Sequence, residues 1–515
     1  MKRPLVAVFL VVVLALSALA ASGVSTRAQE GGTIRVGLDV DAGTGDPRLA
    51  RDTSAFRLGE LVFDGLVELD TALVPQPALA ETWENPDPTT WVFHLRQGAT
   101  FHDGEAVTAD DVVYTFQSIL DEAFAAPNRA LYVPITSVTA RDPQTVEFKL
   151  AEAYAPFLNY MNMGVVPQHI AEDPASDFAN NPVGAGPFKF VRWQKNNQIE
   201  LEAFAEYWQG PPALAGVRLQ IVPDNTVRAT GLETGDLDFI HSPLSPQDVE
   251  RLKTTDGVDV SEQTALGYTY LNFNTADPIL SDVNVRRAIA QMVDKAVISE
   301  QIYQSMDIPG ESPLVPNTWW YSEVADHPYD PEAAAALLAT AGWVDTDDDG
   351  VLDKDGQKLT LVLKTHSEDP NRIQTIEYLQ NVLTENGIEA SVETAEFPTF
   401  FDQLMNHDYQ IGLVGWLRLV DPDYAMFNQF RCDGTSNYGQ YCNQQVDDLL
   451  QQGRTTLEPE QRVGIYQEAA RIIVDEVAYD VLLYQGYIVA TRDNVEGFQP
   501  HPAGSFDSLF ATSLT

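Results

Sequence analysis

Two cysteines occur in 515 residues, Cys432 and Cys442, with nine residues between them. They do not form a C-x-x-C redox motif. Basic side chains are scarce: 31 Lys and Arg stand against 75 Asp and Glu, for a formal net charge of -44. A surface of that sign repels nucleic acid and anionic membrane, so neither is expected as a partner, whereas cations are favoured. The acidity is spread along the chain and reads as a solvated surface rather than a tail. The eight histidines include no HExxH and no pair four residues apart. No GxSxG, Walker loop or dinucleotide fingerprint is present. Carboxylate pairs suited to glycoside hydrolysis arise by chance in so acidic a chain, so their abundance carries no weight. Repeats of solenoid period and low-complexity linkers are also missing.

What is present is size and an apolar leader. With 44% hydrophobic residues the chain can bury a large core, and its length suggests two to four domains. Lys2 and Arg3 precede an apolar run over residues 5–21, followed by small residues. This is the layout of a secretory signal, with residues 1–28 removed on export. The run of roughly 17 residues is close to the ~20 that span a bilayer, so a retained anchor is the other reading. No cysteine lies near it, which excludes a lipoprotein anchor, and no later segment is apolar enough to span. The mature protein is therefore expected outside the cytoplasmic membrane, in the periplasm or on the membrane's outer face. In that oxidising setting Cys432 and Cys442 are expected to pair, closing a small loop worth roughly 2.5–3 kcal/mol. Two unrelated buried thiols are the alternative.

The hydrophobic pattern alternates strands and helices, which predicts an α/β architecture. Strands are expected at residues 31–40, 91–96, 198–204, 216–221, 359–364 and 388–392, with a hairpin over 139–150. Helices are expected at 56–68, from 108, from 226 to a stop at Gly235, over 331–341, 373–383 and 462–474. Thr108 and Asp111 make a capping-box pattern, and Asp330-Pro331 is a helix start.

Residues 90–116 (TWVFHLRQGATFHDGEAVTADDVVYTF) closely resemble the signature segment of the family 5 solute-binding proteins, extracytoplasmic receptors of ABC importers for peptides, nickel and related solutes. Residues 182–188 (PVGAGPF), 270–295 and 415–450 resemble further segments of the same family, in order. The resemblance implies a two-lobed periplasmic-binding-protein-like fold of class II type, with an extra domain inserted in the first lobe. It places lobe I at 29–72, 182–278 and 490–515, the insertion at 73–181 and lobe II at 279–489. It implies a receptor, not an enzyme, that takes a peptide or similar small solute, requires no cofactor, acts as a monomer and delivers its ligand to a membrane permease. A secreted hydrolase acting on peptides or glycans is the alternative.

Residues 415–450 hold the candidate ligand groups. Asp421 and Asp423 flank Pro422 among Trp416, Tyr424, Phe427, Phe430, Tyr438 and Tyr441. Acidic groups among large apolar faces suit a cationic, partly apolar ligand, and in the dipeptide receptors an aspartate of this segment pairs with the ligand's ammonium. Asp421 is the first candidate and Asp423 the second; the other reading of the triplet is a turn and helix start. Trp416 is expected as a pocket wall, by apolar contact or cation–π stacking, and Tyr438 as a cleft residue of the cysteine loop. Where the family has an acidic, glycine-rich run, this chain has Leu417-Arg418-Leu419-Val420. Separately, Asp345, Asp347, Asp349 and Asp353 match calcium-loop positions 1, 3, 5 and 9, although position 12 is Gly356 and a strand follows. Structural calcium there, or a solvated acidic hairpin, are the two readings.

Overall fold

The computed structural model describes residues 31–325 and 327–515, so the leader expected at 1–28 lies outside the described residues. One mixed sheet of 11 strands runs through the molecule. Thr33–Leu38 lies near the middle of its first half and buries Ile34, Val36 and Leu38 completely. It pairs in parallel with Gly216–Ile221 and Phe239–Ile240. Gln198–Ala203 and Phe188–Gln194 extend the antiparallel edge beyond Gly216–Ile221. In the second half, Thr360–His366 pairs in parallel with both Glu389–Ala395 and Ile411–Trp416. Helices Val283–Met292, Pro331–Thr340 and Pro370–Glu385 contribute Val285, Leu338 and Leu379 to the core of that half.

Two long strands join the halves. Val258–Phe273 pairs with Tyr479–Arg492 in antiparallel register from Val258↔Arg492 to Thr264↔Gly486. The register breaks between Thr264 and Tyr268 and resumes at Tyr268↔Tyr484. Beyond the break, Tyr268–Phe273 also carries Ile411–Trp416. The chain thus passes between lobes inside two paired strands, at an irregularity. Gly486 is needed at this crossing, because a Cβ there would stand 1.9 Å from the Met306 carbonyl oxygen.

Inserted in sequence within the first half, between Thr33–Leu38 and Phe188–Gln194, residues 80–150 form a separate four-stranded antiparallel sheet in the order Ala80–Asp87, Thr90–Leu95, Thr145–Leu150, Ile135–Asp142. Helix Ala109–Leu120 covers it, and Phe93, Phe116, Phe148 and Phe157 stack edge-on or tilted in a core of their own. The capping box of that helix is made as the sequence predicts, with Asp111 Oδ2 accepting from the Thr108 backbone N–H at 2.9 Å.

One helix departs from its expected bounds. The helix predicted over 56–68 is Thr53–Val62, and a short strand, Val67–Leu69, follows. Asp52 starts it early by accepting from the Ala55 N–H at 2.8 Å. It ends early because the Val62 carbonyl accepts from the Gly186 N–H, brought in by the PVGAGPF turn, at 2.9 Å. No helix among the described residues is long and apolar enough to cross a membrane.

Candidate functional site

The two crossing strands form the floor of a cavity of about 870 Å³, within the usual size of small-ligand sites. Ala265, Leu266 and residues 485–488 come from the crossing itself. Helix Thr53–Val62 presents Phe56, Arg57 and Glu60, and the loop after Phe239–Ile240 presents His241 and Ser242. Asn159 and Met163 reach in from the end of the inserted segment. The second lobe contributes Leu417, Arg418, Val420 and Tyr424. Contacts from every part of the chain therefore converge on one volume, the arrangement expected of a ligand closed between lobes.

The expected stretch is at the cavity, but the expected side chains are not. Asp421 is fully buried and does not border the cavity. Its carboxylate is gripped by Arg462, with Nη2 on Oδ1 at 2.6 Å and Nη1 on Oδ2 at 3.0 Å. Asn159 Nδ2 donates to Oδ2 at 2.9 Å, and the Asp423 N–H donates to Oδ1 at 2.8 Å, which makes Asp421 the cap of helix Pro422–Phe430. The cationic partner assigned to a ligand is supplied from within the chain. Asp423 is likewise buried, bound in a fork by Arg454 Nε at 2.9 Å and Nη2 at 2.7 Å. Burial lifts the Asp423 carboxyl above its ordinary range, and Arg454 opposes that lift. Burial disfavours the charge on Arg462, but Asp421 outweighs it and holds the guanidinium above its ordinary value. Both carboxylates are structural ion pairs, and the turn-and-helix-start reading of the triplet is the one the structure adopts.

Trp416 and Tyr438 do come together, with ring centroids 6.3 Å apart and planes 11° from parallel. They stack on each other beside Phe401 and Tyr409, away from the main cavity. The pocket wall is supplied instead by their near neighbours Leu417 and Tyr424. Cys432 and Cys442 are joined as a disulfide.

Arg57, Glu60 and His241 are the site residues that sequence reasoning missed. Helix Thr53–Val62 buries Ala55, Leu58, Leu61 and Val62, and Arg57 is buried among them at 4% exposure. A charged pair one turn apart on an otherwise apolar helix face was the available signal. Burial pulls the Arg57 guanidinium down to about 10, Glu60 opposes this, and the like charge of Arg418 adds to it. Ser242 Oγ donates to Asp39 Oδ1 at 2.9 Å, while His241 Nδ1 faces Arg57 Nη2. The serine, histidine and aspartate at this cavity are therefore not linked as nucleophile, base and orienter.

In the acidic loop, Asp345, Asp347 and Asp353 bring carboxylate oxygens within 4.8 Å of one another. Asp345 accepts from the Gly350 N–H at 2.9 Å, as a calcium loop's first position does. Asp349 instead turns to the Lys358 ammonium. A hairpin, Asp353–Lys354 with Gln357–Lys358, follows the loop where a calcium-binding helix would stand.

Comparison with known proteins identifies the family and the fold. The family model for bacterial extracellular solute-binding proteins, family 5 (middle), matches residues 74–438. The oligopeptide-binding protein AppA of Bacillus subtilis is 29% identical over 500 residues, covering 92% of this chain and 90% of AppA. The dipeptide-binding protein of Escherichia coli is 29% identical over 461 residues, covering 83% of this chain and 84% of that protein. The structure of Bacillus subtilis AppA in complex with a nonapeptide superposes with a TM-score of 0.78 at 27% identity, covering 95% of this chain and 99% of that one.

Proposed function

The chain belongs to the bacterial extracellular solute-binding proteins of family 5, and on that premise we propose that the solute it captures is a peptide. It is a solute-binding receptor of ABC import. In the proposed cycle a peptide enters the cavity at the strand crossing, the lobes close over it, and the closed monomer docks on a membrane permease outside the cytoplasm. No bond of the ligand is made or broken.

The observation that carries this reading is the convergence of both lobes and the inserted segment on one cavity above the register break. A ligand bridging those parts binds the closed arrangement better than the open one, which is what drives closure. The names of the relatives support a peptide in particular: two are called oligopeptide- and dipeptide-binding, and one solved relative holds a nonapeptide. The hydrolase alternative gains nothing from the cavity, where no activated nucleophile is assembled.

The test is calorimetric titration with peptides of two to nine residues, paired with small-angle scattering. Binding is expected with a fall in the radius of gyration and no cleavage of the peptide. A broad peptide panel that leaves both heat and scattering unchanged would sink the peptide reading.

A further inference from the structure

A hairpin on the first-lobe side reaches across to the second lobe. Its strands are Val67–Leu69 and Pro75–Pro77. The stem belongs to the core of the inserted segment, which takes in Leu66, Val67 and Leu79. The tip does not. Leu73 is fully buried, and the other buried residues of its apolar cluster come from the crossing strands and the second lobe, Leu266, Leu314, Val315, Trp320 and Leu419 among them. Leu73 stands at φ +63°, a left-handed conformation that suits glycine or asparagine and costs a leucine energy. A turn needed only for its shape would carry glycine there. The turn is braced from within: Asp70 Oδ1 accepts from the Ala72 and Val74 N–H groups, each at 2.9 Å, and Oδ2 accepts from Gln76 Nε2 at 2.8 Å. Strain of this kind persists where the surroundings enforce it, and it tends to mark function. Its effect here is to present an apolar side chain to the other lobe.

A second contact crosses between the same two parts. The short helix Ala155–Tyr160 is anchored by Phe157 in the inserted core. Asn159 Nδ2 donates to Asp421 Oδ2 at 2.9 Å and to the Val420 carbonyl at 3.4 Å. Arg454, which grips Asp423, lies over the Tyr154 ring at 5.5 Å. Val420 packs in turn against the inserted core. Tyr154 and Asn159 are both buried, and Asn159 and Val420 border the cavity. Arg462 and Arg454 already match the charges of Asp421 and Asp423, so Asn159 adds to that cluster without balancing it.

We infer that the inserted domain works as a clasp: Leu73 and Asn159 hold the second lobe against the first and oppose opening of the cleft. The inference rests on the lobes turning about the crossing strands. Leu73 and Asn159 both lie outside those strands, so opening draws Leu73 from its pocket and parts Asn159 from Asp421. Contacts made only in the closed arrangement shift the population toward it, whatever the solute. A solute then has less closing to drive, and its entry waits on release of the clasp.

The test is small-angle scattering of the dialysed mature chain with no solute added. Leu73→Gly keeps the left-handed turn, which glycine adopts freely, and removes the plug. Asn159→Ala removes the amide and leaves both ion pairs. The double variant is expected to show a larger radius of gyration than the wild type with the same far-UV circular dichroism, and each single variant a smaller rise. Asn159→Asp sets a carboxylate against Asp421 and should open the cleft without touching Leu73. A rise in any of these variants at unchanged circular dichroism upholds the clasp. Radii equal to the wild type in all of them overturn it, and so does expansion seen only with loss of helix signal, which makes the contacts part of the fold. No peptide is needed, so failure of the clasp and failure of the peptide reading are told apart.

Discussion

Two charged clusters come within three residues of each other in sequence, at Arg418 and Asp421, and are built in opposite ways. At Asp421 and Asp423, each carboxylate is matched by a guanidinium fork and sealed from solvent. At Arg418, one guanidinium reaches Glu60 by a single long bond through Nη2, and its Nη1 is buried without an acceptor. A closed ion pair has no capacity left for a ligand. The Arg418–Glu60 pair is long and partly exposed, and it leaves a guanidinium donor without an acceptor among the described residues. Charge in a cavity is thus informative by what it lacks.

Breaking the closed cluster should give the largest effect. Arg462→Met leaves Asp421 buried and uncompensated, and it is expected to lower stability by about 3–5 kcal/mol, read by urea unfolding. Adding Asp421→Leu in the same chain should restore much of that loss, because an apolar pair needs no desolvation. If Arg462→Met unfolds at wild-type urea concentration, the cluster is not a structural one.

Asp307 sharpens the comparison as a buried carboxylate without a guanidinium fork. It accepts only from the Gly486 N–H, at 3.0 Å, beside the strand crossing. Burial lifts its carboxyl to about 7, the Gly486 N–H and Arg372 pull down, and Asp369 pushes up. The unfolded value is about 3.9. The folded state therefore holds the proton more tightly, and stability falls as pH rises from about 4 to about 7, with the full penalty above that. Asp307→Asn should stabilise the protein at pH 8 by on the order of 2–4 kcal/mol and make no difference below pH 4. Unfolding curves of the two proteins that stay parallel from pH 4 to pH 8 would refute this.

In contrast, Arg418→Gln should change stability by less than about 1 kcal/mol, since its ion pair with Glu60 is partly exposed and long. A larger loss in urea unfolding would make Arg418 a structural residue like Arg462.

These contrasts show what the sequence made legible. Elements with local signals were readable: the Thr108 capping box, the Asp330-Pro331 helix start, and the strand alternation of Thr33–Leu38. The segment at the cavity was also readable, through its aromatic and acidic content. Which side chains face the cavity was not, because the partners of Asp421 and Asp423 stand 41 and 31 residues further along the chain. No local pattern announces that pairing. The same holds for Arg57 and His241, 184 residues apart. The end of helix Thr53–Val62 was misjudged for the same reason: its last carbonyl is claimed by Gly186, from the far side of the inserted domain.

The acidic loop gives the smallest expected effect, because it resembles neither cluster. Asp345, Asp347 and Asp353 face solvent rather than a cavity, and Asp349 is drawn off by Lys358. With Gly356 in place of a bidentate glutamate, any calcium affinity should be no better than roughly 10⁻³ M. At about 1 mM calcium such a site adds only about 0.4 kcal/mol, a melting shift below about 1 °C in a protein of this size. Lys358→Met should enlarge the response, because it frees Asp349 to return to the loop. A rise of several degrees in the unmodified protein would mean that calcium already wins Asp349 from Lys358, and that the loop is a closed cluster awaiting its cation.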